Sequence, residues 1–251
     1  MNDVGAIILA AGKGSRMKSK THNKVTLVLG NKPMILHGIH LLQGLGIKKI
    51  VVVVGFAKDS VRQIIKEDVI FAEQKKRLGT AHAAYKGMYA MPDGVKNVLI
   101  IQGDDSAFYK EETIKNLVNL HTKEGNSLTF LTLKVKNPTG LGRIVRDKKG
   151  NLLRVVEEKD ATQAEKKITE INPACYAVSM EFLKNYLGKV KKSPVTGEYY
   201  LTSIIDIAIK NNQRLNTLNA GNIPWRGVNT TDELSQAEKL FTKINRNFAS
   251  N

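Results

Sequence analysis

The sequence predicts an α/β fold, with a Rossmann-like, mostly parallel sheet covered by helices on both faces. Two observations lead to this prediction. Apolar runs alternate with segments of helical periodicity up to residue 136, and several runs are apolar on both faces, as in buried parallel strands. In addition, 42% of the 251 residues are hydrophobic, which is enough to build a large core.

The predicted strands and helices alternate in the βαβ order of a parallel sheet. The predicted strands are 4–10, 48–55, 69–73, 98–103 and 127–135, and the predicted helices are 32–46, 58–67, 79–91 and 111–123. Pro33 suits the first turn of the first helix, where its missing N–H needs no partner. In such a sheet ligands bind beyond the carboxyl ends of the strands, so the loops there are candidates for a binding site.

The alternation ends after residue 136. Residues 142–160 have the pattern of a β-hairpin that turns at DKKGN, and residues 198–212 have the pattern of a helix. The last predicted helix begins at a capping box formed by Thr230 and Glu233. Four apolar residues then lie near one face of it: Leu234, Ala237, Phe241 and Ile244. We find no repeat or linker and predict a single domain.

The cysteine count and the hydropathy pattern restrict the compartment. Cys175 is the one cysteine, which excludes an internal disulfide framework and a cysteine-based zinc site and fits a reducing environment. No apolar stretch is long enough to cross a bilayer, and no basic region precedes the first apolar run as in a signal peptide. We expect a cytoplasmic protein with no membrane partner.

The formal net charge of +16 calls for an anionic partner. Much of the excess lies in short clusters at 18–20, 75–77, 166–167 and 189–192, which are typical of solvated faces. No aromatic-rich basic stripe or nucleic-acid motif organises them. We therefore expect a small anionic substrate rather than nucleic acid, while a nucleic-acid-binding protein is an alternative explanation of the charge.

The glycine-rich turn LAAGKGSRM follows the first predicted strand. Gly12 and Gly14 allow backbone amides to approach a phosphate, and Lys13 and Arg16 supply positive charge. The turn is not a Walker A loop, because no G-K-[ST] follows, and Met17 occupies the third glycine position of the dinucleotide fingerprint. On the glycines alone, a tight turn with incidental charge explains it equally well.

Seven short motifs in a fixed order make the sequence resemble the sugar-1-phosphate nucleotidyltransferases, and most closely the uridylyltransferase half of the bacterial bifunctional N-acetylglucosamine-1-phosphate enzymes. The motifs are LAAGKGSRM, LGTAHA, TGLGRIVRD, VVEEKDAT, EIN, GEYYLTSII and GVN, between residues 9 and 229. The resemblance implies the nucleotide-diphospho-sugar transferase type of fold. It divides the chain into a nucleotide half (1–136), a sugar-phosphate half (137–229) and a C-terminal helix (230–251).

The resemblance implies transfer of a uridylyl group from UTP to N-acetyl-α-D-glucosamine 1-phosphate. The nucleophile is a phosphate monoester that is largely dianionic near neutral pH, so no general base is required, and we find no His/Ser/Asp constellation. By resemblance, Arg16 and Lys24 neutralise the phosphates, and Asp104 and Asn229 bind Mg2+. Asp105 occupies a position that is usually uncharged in the family, and we expect it to face solvent or the periphery of the site rather than to be a ligand.

The remaining predicted site residues fall into two sets, again by resemblance. The nucleotide-binding set comprises Leu9, Ala10, Ala11, Gly12, Gly14, Gln74, Gly79 and Thr80. The sugar-binding set comprises Gly142, Glu157, Asn172 and Tyr199. An amide side chain with backbone groups can match the donor–acceptor edge of uracil, and Glu157 and Asn172 can hydrogen-bond sugar hydroxyls and an N-acetyl group.

The sequence departs from the family in three places. Asn23 replaces a proline before Lys24, in a loop that is one residue longer. Pro173 and Ala174 replace a small hydroxyl residue and glycine in the predicted sugar pocket. The sequence ends before the hexapeptide-repeat acetyltransferase domain of the bifunctional enzymes, either because the uridylyltransferase stands alone or because the sequence is part of a longer protein, and without that domain we expect no trimer.

Two alternatives to the main prediction follow. One is another sugar-1-phosphate nucleotidyltransferase, using glucose 1-phosphate or N-acetylmuramate 1-phosphate, with UTP or dTTP. The other is a catalytically silent module that binds nucleotide sugars.

Overall fold

The main element of the computed structural model is a mixed sheet of ten strands. The structure describes residues 1, 3–14, 17, 21–221, 223 and 225–249, with side chains up to residue 243. The strands are β1 (Val4–Ala10), β2 (Val28–Leu29), β3 (Lys32–Pro33), β4 (Lys49–Val54), β5 (Ile70–Glu73), β6 (Asn97–Gln102), β7 (Leu128–Lys134), β8 (Gly142–Arg146), β9 (Leu152–Val156), β10 (Glu170–Asn172), β11 (Tyr176–Ser179) and β12 (Leu215–Asn219). The helices are α1 (Met34–Gly44), α2 (Lys58–Ile64), α3 (Thr80–Tyr89), α4 (Glu111–Lys123), α5 (Met180–Tyr186), α6 (Ser203–Lys210) and α7 (Thr231–Ala249).

Four parallel strands form the first half of the sheet in the order β5-β4-β1-β6. Their ends agree with those of four predicted strands to within one residue. Beyond β6 the order continues β11-β7-β10-β8-β9 through antiparallel pairs, and β12 adds to β7 in parallel. The α/β fold class is confirmed, and strands of both chain halves share this sheet.

The two faces of the parallel strands form two separate cores. Ile7 and Leu9 of β1 pack into one core with α3, α5 and α6, whereas Ala6 and Ile8 pack into the other core with α1, α2 and α4. Alternate residues of a strand point to opposite faces, so a strand buried on both sides must be apolar throughout. All seven residues of β1 are accordingly buried, which is why the apolar runs predicted strands correctly.

Two predicted helices begin later in the structure than their sequence patterns indicate. The helix predicted from residue 32 begins at Met34, because Lys32–Pro33 pairs with Val28–Leu29 in a small hairpin. The helix predicted over 198–212 spans only Ser203–Lys210. The preceding segment 199–201 is instead held by hydrogen bonds to residues 78–81, which consume the backbone groups that a longer helix would use.

The predicted hairpin and the predicted C-terminal cap are both confirmed. β8 and β9 pair antiparallel around the turn at 147–151. At the start of α7 the Glu233 carboxylate accepts hydrogen bonds from the backbone N–H of Thr230 and the Thr230 hydroxyl accepts one from Glu233 N–H. Ala237 is buried in a third core with Leu234 and Phe241 packed beside it, while the Ile244 side chain lies outside the described part of the chain. Within the described ranges, no helix has the length and apolar character required to span a bilayer.

Candidate active site

The carboxyl ends of β1, β4 and β6 lie side by side, and the loops that follow them are tied together by backbone hydrogen bonds. Phe56 N–H donates to Ala11 O (3.1 Å), and Gly103 N–H donates to Leu9 O (3.1 Å). Gly55 fits closely against Ala11, because a Cβ on Gly55 would lie 2.8 Å from Ala11 O. The predicted nucleotide residues Leu9, Ala10, Ala11, Gly12 and Gly14 therefore begin at the edge of the sheet where α/β proteins bind ligands.

Lys24 lies at this edge in contact with both predicted metal ligands. Its ammonium forms an ion pair with Asp104 Oδ2 and donates hydrogen bonds to Asn229 Oδ1 (3.0 Å) and Val228 O (3.0 Å). The side chains of Lys24 and Asp104 are only 15% and 11% exposed. We call these four residues the Lys24 cluster. Three predicted site residues that are far apart in the sequence thus meet at one point.

The glycine-rich turn packs directly on Lys24. Gly14 has φ +56°, and a Cβ there would lie 3.2 Å from the Cβ and Cδ atoms of Lys24. Gly14 therefore allows both the left-handed conformation and the close approach of the turn to the lysine. The other predicted cation of this turn, Arg16, lies outside the residues that the structure describes, and its role stays a prediction.

Asn229 is positioned by the start of the C-terminal helix. Its backbone N–H donates to Glu233 Oε2 (2.6 Å), and the preceding residue, Val228, is fully buried against Leu29 and Phe108. The capping box and the third core therefore orient the Asn229 amide toward Lys24. The motif GVN alone does not show this orientation of Asn229, because the orientation depends on the packing of α7 against the segment 27–34.

The neighbouring aspartates after β6 lie in different environments. Asp104 contacts Lys24, whereas Asp105 is 4% exposed and its Oδ1 has no hydrogen-bond partner among the described residues. Burial, reinforced by the adjacent Asp104 charge, raises the pKa of Asp105 well above its ordinary value. Of the two positions expected for Asp105, solvent and the periphery of the site, the first is wrong: Ser106–Phe108 forms a turn beneath α1, and the Asp105 side chain is buried.

The predicted nucleotide residues between β5 and α3, a segment that we call the second loop, are linked by hydrogen bonds. The buried Gln74 amide donates from Nε2 to Gly79 O (2.9 Å), and the same nitrogen is 2.9 Å from His82 Nδ1. Burial lowers the pKa of His82, so the neutral ring can accept that bond through Nδ1. Thr80 Oγ1 accepts a hydrogen bond from Leu201 N–H (2.8 Å). From the sequence, His82 is expected to be a packed or surface helix residue, and no sequence motif indicates its contact with Gln74.

Two exposed cations flank the ring of Phe56 at the same edge. Lys13 Nζ and the Arg77 guanidinium each lie 5.8 Å from the centre of that ring. Arg77 belongs to the basic cluster 75–77, whose composition predicts a solvated face. The structure confirms that the cluster is exposed. Its position in the sequence, between the predicted nucleotide residues Gln74 and Gly79, already indicates that it lies near the nucleotide edge.

Three of the four predicted sugar residues lie together, Gly142 and Asn172 on neighbouring strands and Glu157 directly after β9. Asn172 of β10 pairs with Gly142 of β8, and a Cβ on Gly142 would lie 3.8 Å from Glu157 Oε1. Thr202 donates a hydrogen bond to Glu157 Oε1 (2.8 Å). Tyr199, the fourth predicted residue, instead contacts the second loop through its backbone, and its ring lies 5.6 Å from Lys192 Nζ. A cavity of about 600 Å³ borders Glu157, Tyr200 and Thr202.

The loop that departs from the family pattern is held by three hydrogen bonds. Asn172 Oδ1 accepts from Ala174 N–H (2.8 Å), Asn172 Nδ2 donates to the Tyr176 hydroxyl (2.6 Å), and the Tyr109 hydroxyl donates to Pro173 O (3.1 Å). Ala174 has φ +58°, a left-handed conformation that costs an alanine about 1 kcal/mol relative to glycine. The Asn172 side chain therefore stabilises its own loop in addition to any contact with a ligand.

A stability prediction follows from Gly79. Its φ is +108°, and a Cβ would lie 2.5 Å from Tyr199 O and 2.7 Å from Tyr199 N, both backbone atoms that cannot move away cheaply. We expect Gly79→Ala to lower the free energy of unfolding by roughly 3 kcal/mol, measured by urea denaturation. The matched control is Gly125→Ala, with φ +59° and open space around it, which should cost only about 1 kcal/mol. Equal losses in the two variants would contradict the close contact.

The fold and the geometry described above are those of an α/β protein with a candidate ligand-binding site at the carboxyl edge of its sheet. The chain belongs to the nucleotidyl transferase family, whose model matches residues 5–244. It is therefore an enzyme of the nucleotidyltransferase class.

Similar proteins include the bifunctional protein GlmU of two bacteria. The GlmU of Thermoanaerobacter pseudethanolicus is 41% identical over 243 residues, which is 97% of this chain and 52% of that protein. The GlmU of Desulfotalea psychrophila is 38% identical over 98% of this chain and 73% of its own length. This chain thus spans about half the length of the first relative.

A solved structure from Bacillus anthracis has the same fold. It was provisionally described as a glucose-1-phosphate thymidylyltransferase, and it was determined in complex with sucrose. The TM-score is 0.81 at 23% sequence identity, with 95% of each chain covered. At this level of identity the similarity supports the fold alone.

Proposed function

We propose that the enzyme catalyses the magnesium-dependent reaction of UTP with N-acetyl-α-D-glucosamine 1-phosphate to give UDP-N-acetylglucosamine and diphosphate. The observation that carries this proposal is the Lys24 cluster, in which one cation, one carboxylate and one amide meet beside the glycine-rich turn. Membership of the nucleotidyl transferase family and the identity to two GlmU proteins support it. The use of UTP fits a cytoplasmic location.

The proposed reaction requires positioning and charge neutralisation rather than proton transfer. An oxygen of the sugar phosphate forms a bond to the α-phosphorus of UTP, and the bond from that phosphorus to the bridging oxygen of diphosphate breaks. The electron pair leaves with diphosphate, and the attacking oxygen carries no proton that must be removed. Lys24 stabilises the negative charge that develops on the phosphates, and the backbone of Gly12 and Gly14 lies beneath them.

The residues at the Lys24 cluster fit a magnesium ion. Asp104 Oδ2 and Asn229 Oδ1 already converge on a single positively charged atom, Lys24 Nζ, so a cation can contact both oxygens at once. Among the described residues, no three His, Cys, Asp or Glu side chains are grouped as a metal site. Magnesium prefers few protein ligands together with water and substrate oxygens, which suits this pair. When bound, the ion would neutralise charge on the phosphates.

The sugar half of the proposal rests on the group formed by Gly142, Glu157 and Asn172. Glu157 and Asn172 offer acceptor and donor groups for sugar hydroxyls and for an N-acetyl group. The left-handed Ala174 and the Pro173–Tyr109 hydrogen bond give the adjacent loop its own shape. Because the loop at the sugar end departs from the family pattern, glucose 1-phosphate and N-acetylmuramate 1-phosphate are kept as alternative sugar substrates. The alternative nucleotide is dTTP.

A substrate panel tests the proposed function. Diphosphate release is measured for UTP and dTTP against the three sugar phosphates, with magnesium and with excess EDTA. We expect the highest kcat/KM for UTP with N-acetylglucosamine 1-phosphate and no turnover in EDTA. Faster turnover with another pair would reassign the substrate. Binding of UDP-sugars without turnover would indicate the silent module, and salt-dependent retention of RNA or DNA without turnover would indicate a nucleic-acid-binding protein.

We expect Glu157→Gln to raise the KM for the sugar phosphate roughly tenfold while the KM for UTP changes less than about twofold, because one charged hydrogen bond to the sugar is lost. Initial rates at varied concentrations of each substrate measure both constants. The control Glu181→Gln changes an exposed carboxylate on α5 and should alter neither. A larger effect on UTP than on the sugar phosphate would contradict the placement of the sugar at β8 and β9.

The same variant should be more stable than the parent at neutral pH. Burial raises the pKa of Glu157 above its ordinary value of 4.5. The folded state therefore holds this proton more tightly than the unfolded state, and the stability that it contributes is lost as the pH rises through the folded pKa. We expect Glu157→Gln to have the higher Tm at pH 7 and the difference to shrink toward pH 4. A lower Tm at pH 7 would contradict this.

A further inference from the structure

Asn23 is a buried amide between the ends of two central strands. It has no exposed surface, and its Nδ2 atom lies within hydrogen-bond distance of three backbone carbonyls: Ala10 O (2.9 Å), Gly12 O (3.1 Å) and Phe56 O (2.8 Å). An amide nitrogen has two hydrogens, so it shares them among these carbonyls. Two of the carbonyls belong to the glycine-rich turn, and the third belongs to the loop after β4.

The other polar atoms of Asn23 hold the segment that begins with Lys24. Its Oδ1 accepts from Val25 N–H (3.2 Å), and its backbone oxygen accepts from Thr26 N–H (3.0 Å) and the Thr26 hydroxyl (2.8 Å). These bonds close the short 3₁₀ turn of residues 24–26. Its backbone N–H donates to Ser60 Oγ (3.0 Å) on α2.

The backbone conformation of Asn23 places no demand on the residue type. Its φ and ψ are −74° and 143°, values that most residues, including proline, adopt without strain. What Asn23 adds is therefore its side chain, which offers donors on one side and an acceptor on the other. No aliphatic or acidic side chain offers both at neutral pH.

We propose that Asn23 is a positioning residue for the nucleoside triphosphate, because one side chain connects the glycine-rich turn to the turn that carries Lys24. The inference rests on the proposed function in that both turns are taken to contact the phosphates of UTP. Without the Nδ2 donors, the carbonyls of Ala10, Gly12 and Phe56 lose their partner, and the glycine-rich turn is no longer held at a fixed position relative to Lys24 Nζ. The sugar site at β8–β10 is not linked to this residue by any described contact.

The sharpest variant is Asn23→Asp, which keeps the shape and removes both N–H donors. At neutral pH a buried carboxylate would face three carbonyl oxygens, and at low pH its protonated form would regain one O–H donor. We expect kcat/KM for UTP to fall about 30-fold at pH 8, with the KM for the sugar phosphate changed less than about twofold. We also expect the loss relative to the parent to shrink below pH 6. Asn23→Ala should show a similar loss at pH 8 but no recovery at low pH.

The matched control is Asn126→Asp. Asn126 is also buried, its Nδ2 donates to a backbone carbonyl, Leu120 O (3.3 Å), and it lies after α4, away from the Lys24 cluster. A merely structural loss should be the same in both variants, whereas the proposal requires the UTP defect and its recovery at low pH to be confined to Asn23→Asp. Circular dichroism at the assay temperature monitors folding. If Asn23→Asp does not fold, Asn23→Ser, which keeps one donor, should lower kcat/KM for UTP about tenfold.

Direct binding separates this inference from the proposed function. In calorimetric titrations with UTP and magnesium, the Kd for UTP should be about tenfold larger for Asn23→Asp than for Asn126→Asp. This holds whether or not the parent turns over the expected sugar phosphate. If the parent enzyme is active and Asn23→Asp and Asn126→Asp have equal Kd and kcat/KM values for UTP, the inference about Asn23 is wrong and the proposed function stands. A parent that binds UTP but transfers it to no sugar phosphate overturns the proposed function alone. A parent that does not bind UTP overturns both.

Discussion

Replacing Asp104 by alanine is expected to lower kcat/KM about 100- to 1000-fold, the range observed when one preorganised charge-stabilising group is removed from an active site. Asp104 is the carboxylate that contacts Lys24, and it is one of the two oxygen donors proposed for magnesium. Its loss removes the negative charge that would hold the ion. Initial rates of diphosphate release at varied concentrations of each substrate and of magnesium measure the effect.

A second variant separates the metal role from a structural role. Asp104→Asn keeps an oxygen in place but removes the charge, so its residual activity should require more magnesium than the parent. Asp147→Asn is the control, because this half-buried carboxylate accepts hydrogen bonds only within the β8–β9 turn among the described contacts, and the variant should have the activity and the magnesium requirement of the parent. If Asp104→Asn has the activity and the magnesium requirement of the parent, Asp104 is not a ligand. Because Asp104 is buried with Lys24, we also expect Asp104→Ala to lose about 1–3 kcal/mol of stability.

Replacing Lys24 by methionine is expected to lower kcat at least about 100-fold, because the variant keeps the apolar stem and removes the positive charge beside the phosphates. Lys24→Arg keeps the charge, but its flat guanidinium does not match three acceptors that converge on a single ammonium, so we expect a loss of about tenfold or more. Single-turnover rates with saturating UTP and magnesium distinguish this effect from weaker binding.

The control for Lys24 is Lys49→Met, at the opposite, amino end of β4, where the ammonium donates only to a loop carbonyl, Asp93 O, among the described contacts. It should retain the parent rate. The double variant Lys24→Met with Asp104→Asn should lose less than the product of the two single losses, since each single change already breaks the same ion pair. A Lys24→Met enzyme with more than a tenth of the parent kcat would remove Lys24 from the proposed role.

The parallel half of the fold could be predicted because its signal is local. A strand buried on both faces must be apolar at consecutive positions, and β1, β4 and β6 show that pattern without reference to the rest of the chain. The helix predicted from residue 198 shows the limit of this reasoning. Its periodicity is helical, but Leu78, Thr80 and Ala81 take up backbone groups of residues 199–201, and that competition arises only in the folded chain.

The candidate site could likewise be predicted from the sequence only in part. Motifs predict Gly142, Glu157 and Asn172. The register of β8 and β10 pairs Gly142 with Asn172, and the pairing of β8 with β9 brings Glu157 beside them. For Asp105 the sequence leaves two positions open, solvent and the periphery of the site, and nothing in the motif shows that its side chain is buried. Asn23 was noticed only as a departure from a proline, because its three carbonyl partners belong to two separate loops.

Local sequence patterns are sufficient to assign the fold class, to place the glycine-rich turn at the end of the first strand and to identify side chains suited to phosphate chemistry. They do not show that Lys24 meets Asp104, 80 residues away, and Asn229, 205 residues away, at one point. Periodicity and turn chemistry act between neighbours in the chain. The distance between side chains on different loops instead depends on how the strands are ordered and how the C-terminal helix packs.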